Sequence, residues 1–175
     1  MKGLIVCYSF KGGNQVLANE LKNRSGFELI NIRELKKRSA LGIFFDLLFN
    51  RQPKIQSADI DWQQYDCVIL VSPIWAGKIS SPLKTFILQE KENMPKYAFI
   101  SFCDGDQKQM QKIFGELTEC IGREPFAVEQ LNISDLPKDI RKRIYKIYSP
   151  KRYKVLESDI AYFDDKINAF LEKLN

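Results

Sequence analysis

The side chains best placed to do chemistry lie in three short clusters, and their composition argues against proton-transfer or metal catalysis. The chain has no histidine. That removes the commonest general base, the Ser–His and Cys–His couples, and the commonest transition-metal ligand. Its four cysteines, Cys7, Cys67, Cys103 and Cys120, form no C-x-x-C pair, so neither a zinc knuckle nor a redox dithiol is suggested. No catalytic side chain and no metal site is expected. Carboxylate-only hydrolysis and Mg²⁺ chemistry remain open, but a bound cofactor that carries the chemistry itself suits this composition better.

The first cluster is Tyr8-Ser9-Phe10-Lys11-Gly12-Gly13-Asn14-Gln15. It follows an apolar run and opens a helical pattern. Backbone N–H groups at such a junction converge on one point and, with the helix dipole, form an anion site. Ser9 and Asn14 can add side-chain donors, Lys11 adds a full charge, and glycines let the backbone approach a phosphate closely. The cluster matches neither G-x-x-x-x-G-K-[ST] nor G-x-G-x-x-G, and taken alone it also reads as a structural turn. The second cluster, Ser72 to Pro82, holds Pro73-Ile74-Trp75-Ala76-Gly77. Trp75 there offers either a flat aromatic face to a ligand or an ordinary packed ring. The third, Cys103-Asp104-Gly105-Asp106, could close a site with backbone N–H groups, although Asp-Gly is also a common turn signal. Cys103 reads more readily as a small packed side chain than as a reactive thiol.

Each cluster directly follows a strand candidate. The sequence predicts strands over Lys2–Tyr8, Phe27–Ile32, Cys67–Val71, Tyr97–Phe102 and Phe126–Leu131. The five-residue apolar run Cys67–Val71 is that of a strand buried on both faces. Helical spacing appears from Val16 to Arg24, from Leu83, from Met110 to Leu117, and from Ile160 to Leu174. Strands alternating with helices imply parallel strands joined by right-handed crossovers. Loops at the carboxyl ends of such strands form the ligand crevice.

A chain of 175 residues with 45% hydrophobic and 28% charged residues fits one α/β domain over 1–175, able to build a core without disulfides. No apolar run approaches the ~20 residues of a membrane span, and the N-terminal apolar run reads as a strand. A cytoplasmic setting with reduced thiols is therefore expected. Two segments exceed a minimal strand-helix count. Leu41 to Phe49, within Glu34 to Lys54, is short and very apolar. It is either an ordinary crossover helix packed on the sheet or a lid or partner-docking helix. Residues 137–154 form a basic insertion before the last helix, with eight Lys/Arg against one acid, a local charge of +7 in a chain of +5. Such a segment either is a solvated face or attracts an anionic partner, a cofactor phosphate or a membrane surface. Tyr145, Tyr148 and Tyr153 interleave it as base-stacking residues would, but no nucleic acid is expected.

Taken jointly, the three loops resemble those of the flavodoxin family across nearly the whole chain. The family's S/T-x-T-G-N-T phosphate loop aligns without a gap on Ser9-Phe10-Lys11-Gly12-Gly13-Asn14, with Ala18 in register inside the helix. Its P-x-W-x-G loop, a following Pro and an F-rich helix start align on Pro73 to Gly77, Pro82 and Phe86, and Tyr65-Asp66 leads into the apolar strand as expected. The resemblance implies a three-layer α/β/α sandwich with a five-stranded parallel sheet of order 2-1-3-4-5. It further implies flavin mononucleotide (FMN) bound non-covalently, with the phosphate at Ser9 to Asn14, Trp75 beside the ring and Cys103 to Asp106 along the opposite edge. Electron transfer with redox partner proteins is the implied activity. An FMN-dependent oxidoreductase on the same fold, either an NAD(P)H-dependent flavin or quinone reductase or a quinone-linked oxidase, is the alternative. Several positions depart from the pattern. Lys11 and Asn14 replace the two loop threonines, Gly13 replaces the Asn, and the third loop lacks a ring-stacking tyrosine. The chain is also basic where many carrier flavodoxins are acidic.

Overall fold

The computed structural model describes residues 1–36, 39–145 and 155–174. Five parallel strands make the main sheet: β1 (Gly3–Cys7), β2 (Glu28–Asn31), β3 (Cys67–Val71) and, after the two-residue hairpin strands β4 (Ile74–Trp75) and β5 (Lys78–Ile79), β6 (Lys96–Cys103) and β7 (Ala127–Asn132). The order β2-β1-β3-β6-β7 is the expected 2-1-3-4-5 once the hairpin is set aside. The helices are α1 (Gly13–Ser25), α2 (Ala40–Phe49), α3 (Ser81–Glu90), α4 (Gln107–Ile121), α5 (Lys138–Tyr145), α6 (Glu157–Ile160) and α7 (Asp164–Glu172).

Successive strand residues point to opposite faces, and each face carries its own core. Leu4, Val6, Val68, Leu70, Tyr97 and Phe99 pack with Leu83, Phe86 and Ile87 of α3 and Ile113 and Leu117 of α4. Ile5, Cys7, Ile69, Val71, Ile100 and Phe102 pack with Leu17, Ala18 and Leu21 of α1 and with Ile167 and Phe170 of α7. Every residue of β3 is buried, as its unbroken apolar run predicts.

Three segments differ from the sequence reading. The last helix is not continuous, because a 3₁₀ turn over Ala161–Phe163 separates α6 from α7. Of the predicted apolar positions, Ile160, Phe163, Ile167, Phe170 and Leu174 are nevertheless buried, and Leu171 is half-buried against the same core. Within 34–54, an antiparallel bridge between Glu34 and Ile55 closes the base of the excursion, with Leu35 N–H donating to Lys54 O and Gln56 N–H to Arg33 O. Inside it, Ser39 caps α2 by accepting from Gly42 N–H, yet Phe45, Leu48 and Phe49 remain exposed. The side chains of Leu41, Phe44 and Leu47 lie outside the described set. Of the basic stretch, residues 146–154, with Tyr148 and Tyr153, are likewise outside it. Residues 138–145 form α5, whose Ile144 is buried in the core. Arg143 pairs with the buried carboxylate of Asp159, which also accepts from Leu156 N–H at 2.8 Å.

Candidate functional site

At the carboxyl edge of the sheet the chain leaves β1 toward one side and β3 toward the other, the switch point where such folds hold ligands. Three loops meet there. In the first, Gly12 takes φ 92 and is the N-cap of α1, a left-handed conformation that disfavours other residues. Its N–H donates to Ser9 Oγ at 3.1 Å, and its carbonyl accepts from Gln15 and Val16. Among the described residues no side chain caps α1, and no acid sits in its first turn. The N–H groups of Gly13 and Asn14 therefore face outward from the helix without an intrahelical acceptor, backed by the positive end of the dipole. Lys11 is exposed beside them, its ammonium 4.9 Å from the centre of the Phe10 ring.

Asn14 plays a different part from the one its type suggests. Its side chain is almost wholly buried. Nδ2 donates to Phe102 O at 3.1 Å and Oδ1 accepts from Phe102 N–H at 2.9 Å. The amide thus ties the loop to β6, and what Asn14 presents to a ligand is its backbone N–H. Nearby, a Cβ built on Gly13 would lie 3.0 Å from the Phe102 ring and 3.4 Å from Val155, so helix, strand and loop meet closely because that residue lacks one.

The second loop is the β4–β5 hairpin. Its two turn residues, Ala76 and Gly77, have φ 49 and 73, the left-handed pair of a type I′ turn. Trp75 sits on its first strand, edge-to-face with Tyr8 at 5.8 Å and with Phe10 at 6.1 Å. Its base is held by Ser72 Oγ and Ser80 Oγ, 3.0 Å apart. From α4, Glu116 accepts from Ile79 N–H at 2.8 Å and lies 3.4 Å from the Lys84 ammonium.

The third loop follows β6. Asp106 caps α4 by accepting from Gln109 N–H at 2.9 Å, and Gln109 Nε2 donates to Asp104 O at 3.2 Å and to Gln130 Oε1 at 3.0 Å. Burial pushes the Cys103 thiol up to about 11 and the Cys7 thiol up to about 12. Both are protonated at neutral pH and poor nucleophiles. The Asp104 carboxylate is exposed and accepts from the Tyr145 hydroxyl of α5.

These loops enclose a cavity of about 410 Å³, within the range of small-molecule sites. Of the residues singled out by sequence, Ser9, Phe10, Lys11, Gly13, Asn14, Pro73, Ile74, Trp75, Cys103 and Asp104 line it. Gly12, Ala76, Gly77, Gly105 and Asp106 do not; they shape the turns that carry the lining residues. Ile43, Phe102, Ile133, Ile144, Tyr145 and Val155 complete the wall. Phe102 follows from its place beside a loop, whereas nothing in the sequence marks Ile43, Ile133, Ile144 or Val155 as facing the same space.

No family model matches the sequence, and no curated protein matches it. Solved structures do. A flavoprotein from Lactobacillus acidophilus NCFM, crystallised in complex with FMN, superposes with a TM-score of 0.64 at 22% identity, over 74% of this chain and 92% of that one. The apo-form of the L. acidophilus flavoprotein, determined by NMR, gives 0.60 at 21% identity, over 74% and 91%. A Bacteroides eggerthii protein described as a flavoprotein gives 0.63 at 17% identity, over 86% and 99%. With the strand order, these likenesses show a flavodoxin-like fold.

Proposed function

We propose that the chain binds FMN non-covalently in this cavity and uses it to transfer electrons. The observation that carries the reading is the meeting, at the switch point, of an uncapped and acid-free helix N-terminus with a tryptophan-bearing hairpin. That donor set suits a phosphomonoester joined to a flat aromatic ring. In this reading the N–H groups of Gly13 and Asn14, the Ser9 hydroxyl and Lys11 hold the phosphate, and Trp75 flanks the ring. Cys103 and Asp104 border the opposite edge. FMN supplies one- and two-electron redox chemistry when bound. The chain's own residues bind, orient and shield. Ile43, Ile133, Ile144 and Val155 keep water from the apolar part of the cavity, Tyr145 holds Asp104 in place, and the protonated thiols add no competing nucleophile. The fold likeness to the L. acidophilus protein that binds FMN supports the same conclusion.

A second activity on the same site has its own support. The wall supplied by α2, α5 and Val155 goes beyond the three loops, which favours a site admitting a small apolar electron acceptor such as a quinone, with NAD(P)H as donor. The deciding experiment is the visible spectrum of purified protein before and after FMN is added and excess removed, followed by NAD(P)H oxidation with a quinone. A stoichiometric flavin band establishes the cofactor. Turnover without an added reductase then selects the enzyme, and no turnover selects the carrier. Protein that retains no FMN overturns the proposal.

A further inference from the structure

Helix α2 is apolar at every position but Asp46. A helix apolar all round belongs in a core. Here Leu48 is 61% and Phe49 57% exposed, and Phe45 and Phe49 stack at 6.2 Å across one helical turn. Ile43 of the same helix lines the cavity, and at ~100° per residue Phe45, Leu48 and Phe49 lie on the opposite side of α2, turned away from the cavity.

Charge decides what fits this face. Residues 33–54 contain six Lys/Arg and two acids, a net +4. Arg33, Lys36, Arg51 and Lys54 are exposed, and the Arg51 guanidinium lies 5.1 Å from the Phe49 ring. Of the two acids, Glu34 accepts from the Tyr8 hydroxyl at 2.6 Å. Across the same cavity stands α5, with Lys138 and Lys142 exposed. A second copy of the chain would bring this cationic fringe against itself. An anionic bilayer complements it, because exposed Phe and Leu side chains can enter the lipid interface while the Lys and Arg of the flanking segments stay at the anionic headgroups. A ten-residue helix rises only ~15 Å, and no helix among the described residues is long and apolar enough to cross a membrane. The segment can lie on a bilayer but cannot span it.

We propose that the Phe45–Leu48–Phe49 face of α2, with its cationic fringe, docks this protein on anionic phospholipid surfaces. This inference does not depend on the flavin reading and can be tested on apoprotein. The probe is co-sedimentation with vesicles of phosphatidylcholine alone and of phosphatidylcholine with phosphatidylglycerol. The full-length protein is expected to sediment with the anionic vesicles, to stay in solution with the neutral ones, and to be released progressively by salt. The double variant Leu48→Asp/Phe49→Asp is expected to abolish sedimentation. Arg51→Glu/Lys54→Glu is expected to weaken it by roughly thirtyfold or more, at ~1 kcal/mol for each positive charge removed near the surface. All four side chains are exposed, and thermal midpoints close to that of the parent show that the fold survives. Failure to bind anionic vesicles, or equal binding by the Asp variant, overturns the proposal. So does a dimer in sedimentation equilibrium that the Asp variant dissolves, which makes a second copy the occupant. Retention on polyglutamate without vesicle binding also overturns it, in favour of an acidic protein. Unimpaired FMN titration alongside any of these outcomes leaves the proposed cofactor site standing.

Discussion

Lys11 and Trp75 make separable contributions to ligand binding, and comparing FMN with riboflavin separates them. Lys11→Ala should weaken FMN and leave riboflavin almost unchanged, since only FMN carries the phosphate that an exposed ammonium beside the α1 N-terminus can reach. Equal losses for both ligands would remove Lys11 from the phosphate. Trp75→Ala should weaken both ligands alike, by roughly 1–3 kcal/mol if flavin stacking resembles base stacking on aromatic side chains. An unchanged dissociation constant would place Trp75 outside the site. Asn14 belongs to stability instead. Asn14→Ala leaves the N–H and carbonyl of Phe102 buried without their partner, at roughly 1–3 kcal/mol for each group, readable as a fall in the denaturation midpoint. The sequence marks Asn14 only as a polar residue in a glycine loop. Its two bonds to Phe102 span 88 positions of chain, a distance over which neither spacing nor propensity carries information.

At the scale of elements, the Trp75 hairpin is held from outside as much as by its own turn. Glu116→Gln keeps an acceptor for Ile79 N–H but gives up the charge that faces Lys84. Glu116→Ala removes the acceptor as well. The expected order of FMN affinity is parent, then Gln, then Ala, with Trp75 fluorescence shifting in the same sequence, and equal affinities would show that α4 does not position the hairpin. Ala76 tests the turn itself. An L-residue in the left-handed region costs about 1–2 kcal/mol. Glycine at position 76 would remove that cost while adding freedom to the unfolded chain worth about 0.4–1 kcal/mol, so Ala76→Gly is expected to raise the thermal midpoint slightly. The strands and their three loops were legible because a doubly covered parallel sheet writes itself as apolar runs ending in Gly, Pro and Asp. The other half of the cavity wall was not. Lysines and arginines dominate the pattern of α5 and conceal that Ile144 and Tyr145 face inward. Ile43 is one apolar residue in a helix that is apolar everywhere. The 3₁₀ break at Ala161–Phe163 preserves the period that a single helix would show, so the sequence had no means of announcing it.

For the molecule as a whole, the buried thiols set an upper limit on pH. Burial pushes the Cys7 and Cys103 thiols up to about 12 and about 11 in the fold, well above the ordinary range of a free thiol. Folding therefore favours the protonated thiols. Their contribution is fully present below pH ~9 and is lost as pH rises toward the folded values, at up to about 1.4 kcal/mol per pH unit for each thiol. Denaturation midpoints should be level across neutral pH and fall above pH ~9, with a shallower fall in Cys103→Ala. An identical alkaline limb in that variant would assign the loss to other groups. Charge is also unevenly laid out. The segments 33–54 and 137–154 carry +4 and +7 while the remaining residues sum to −6. The molecule is thus far more polar in its charge than its net +5 conveys, and its association with anionic surfaces should weaken steeply with salt.

The bridge between Glu34 and Ile55 has a consequence for how this architecture can vary. Opposed residues of an antiparallel pair lie ~5 Å apart, a gap that a two-residue turn closes. Everything between those positions is therefore a detachable cassette, whose ends meet whether it holds twenty residues or two. Replacing residues 36–53 with Asn-Gly should leave the five-stranded sheet and its thermal midpoint close to those of the parent. Lineages sharing this scaffold are free to lengthen, trim or exchange the cassette, and each exchange would change both the surface it presents and the part of the cavity wall that Ile43 supplies.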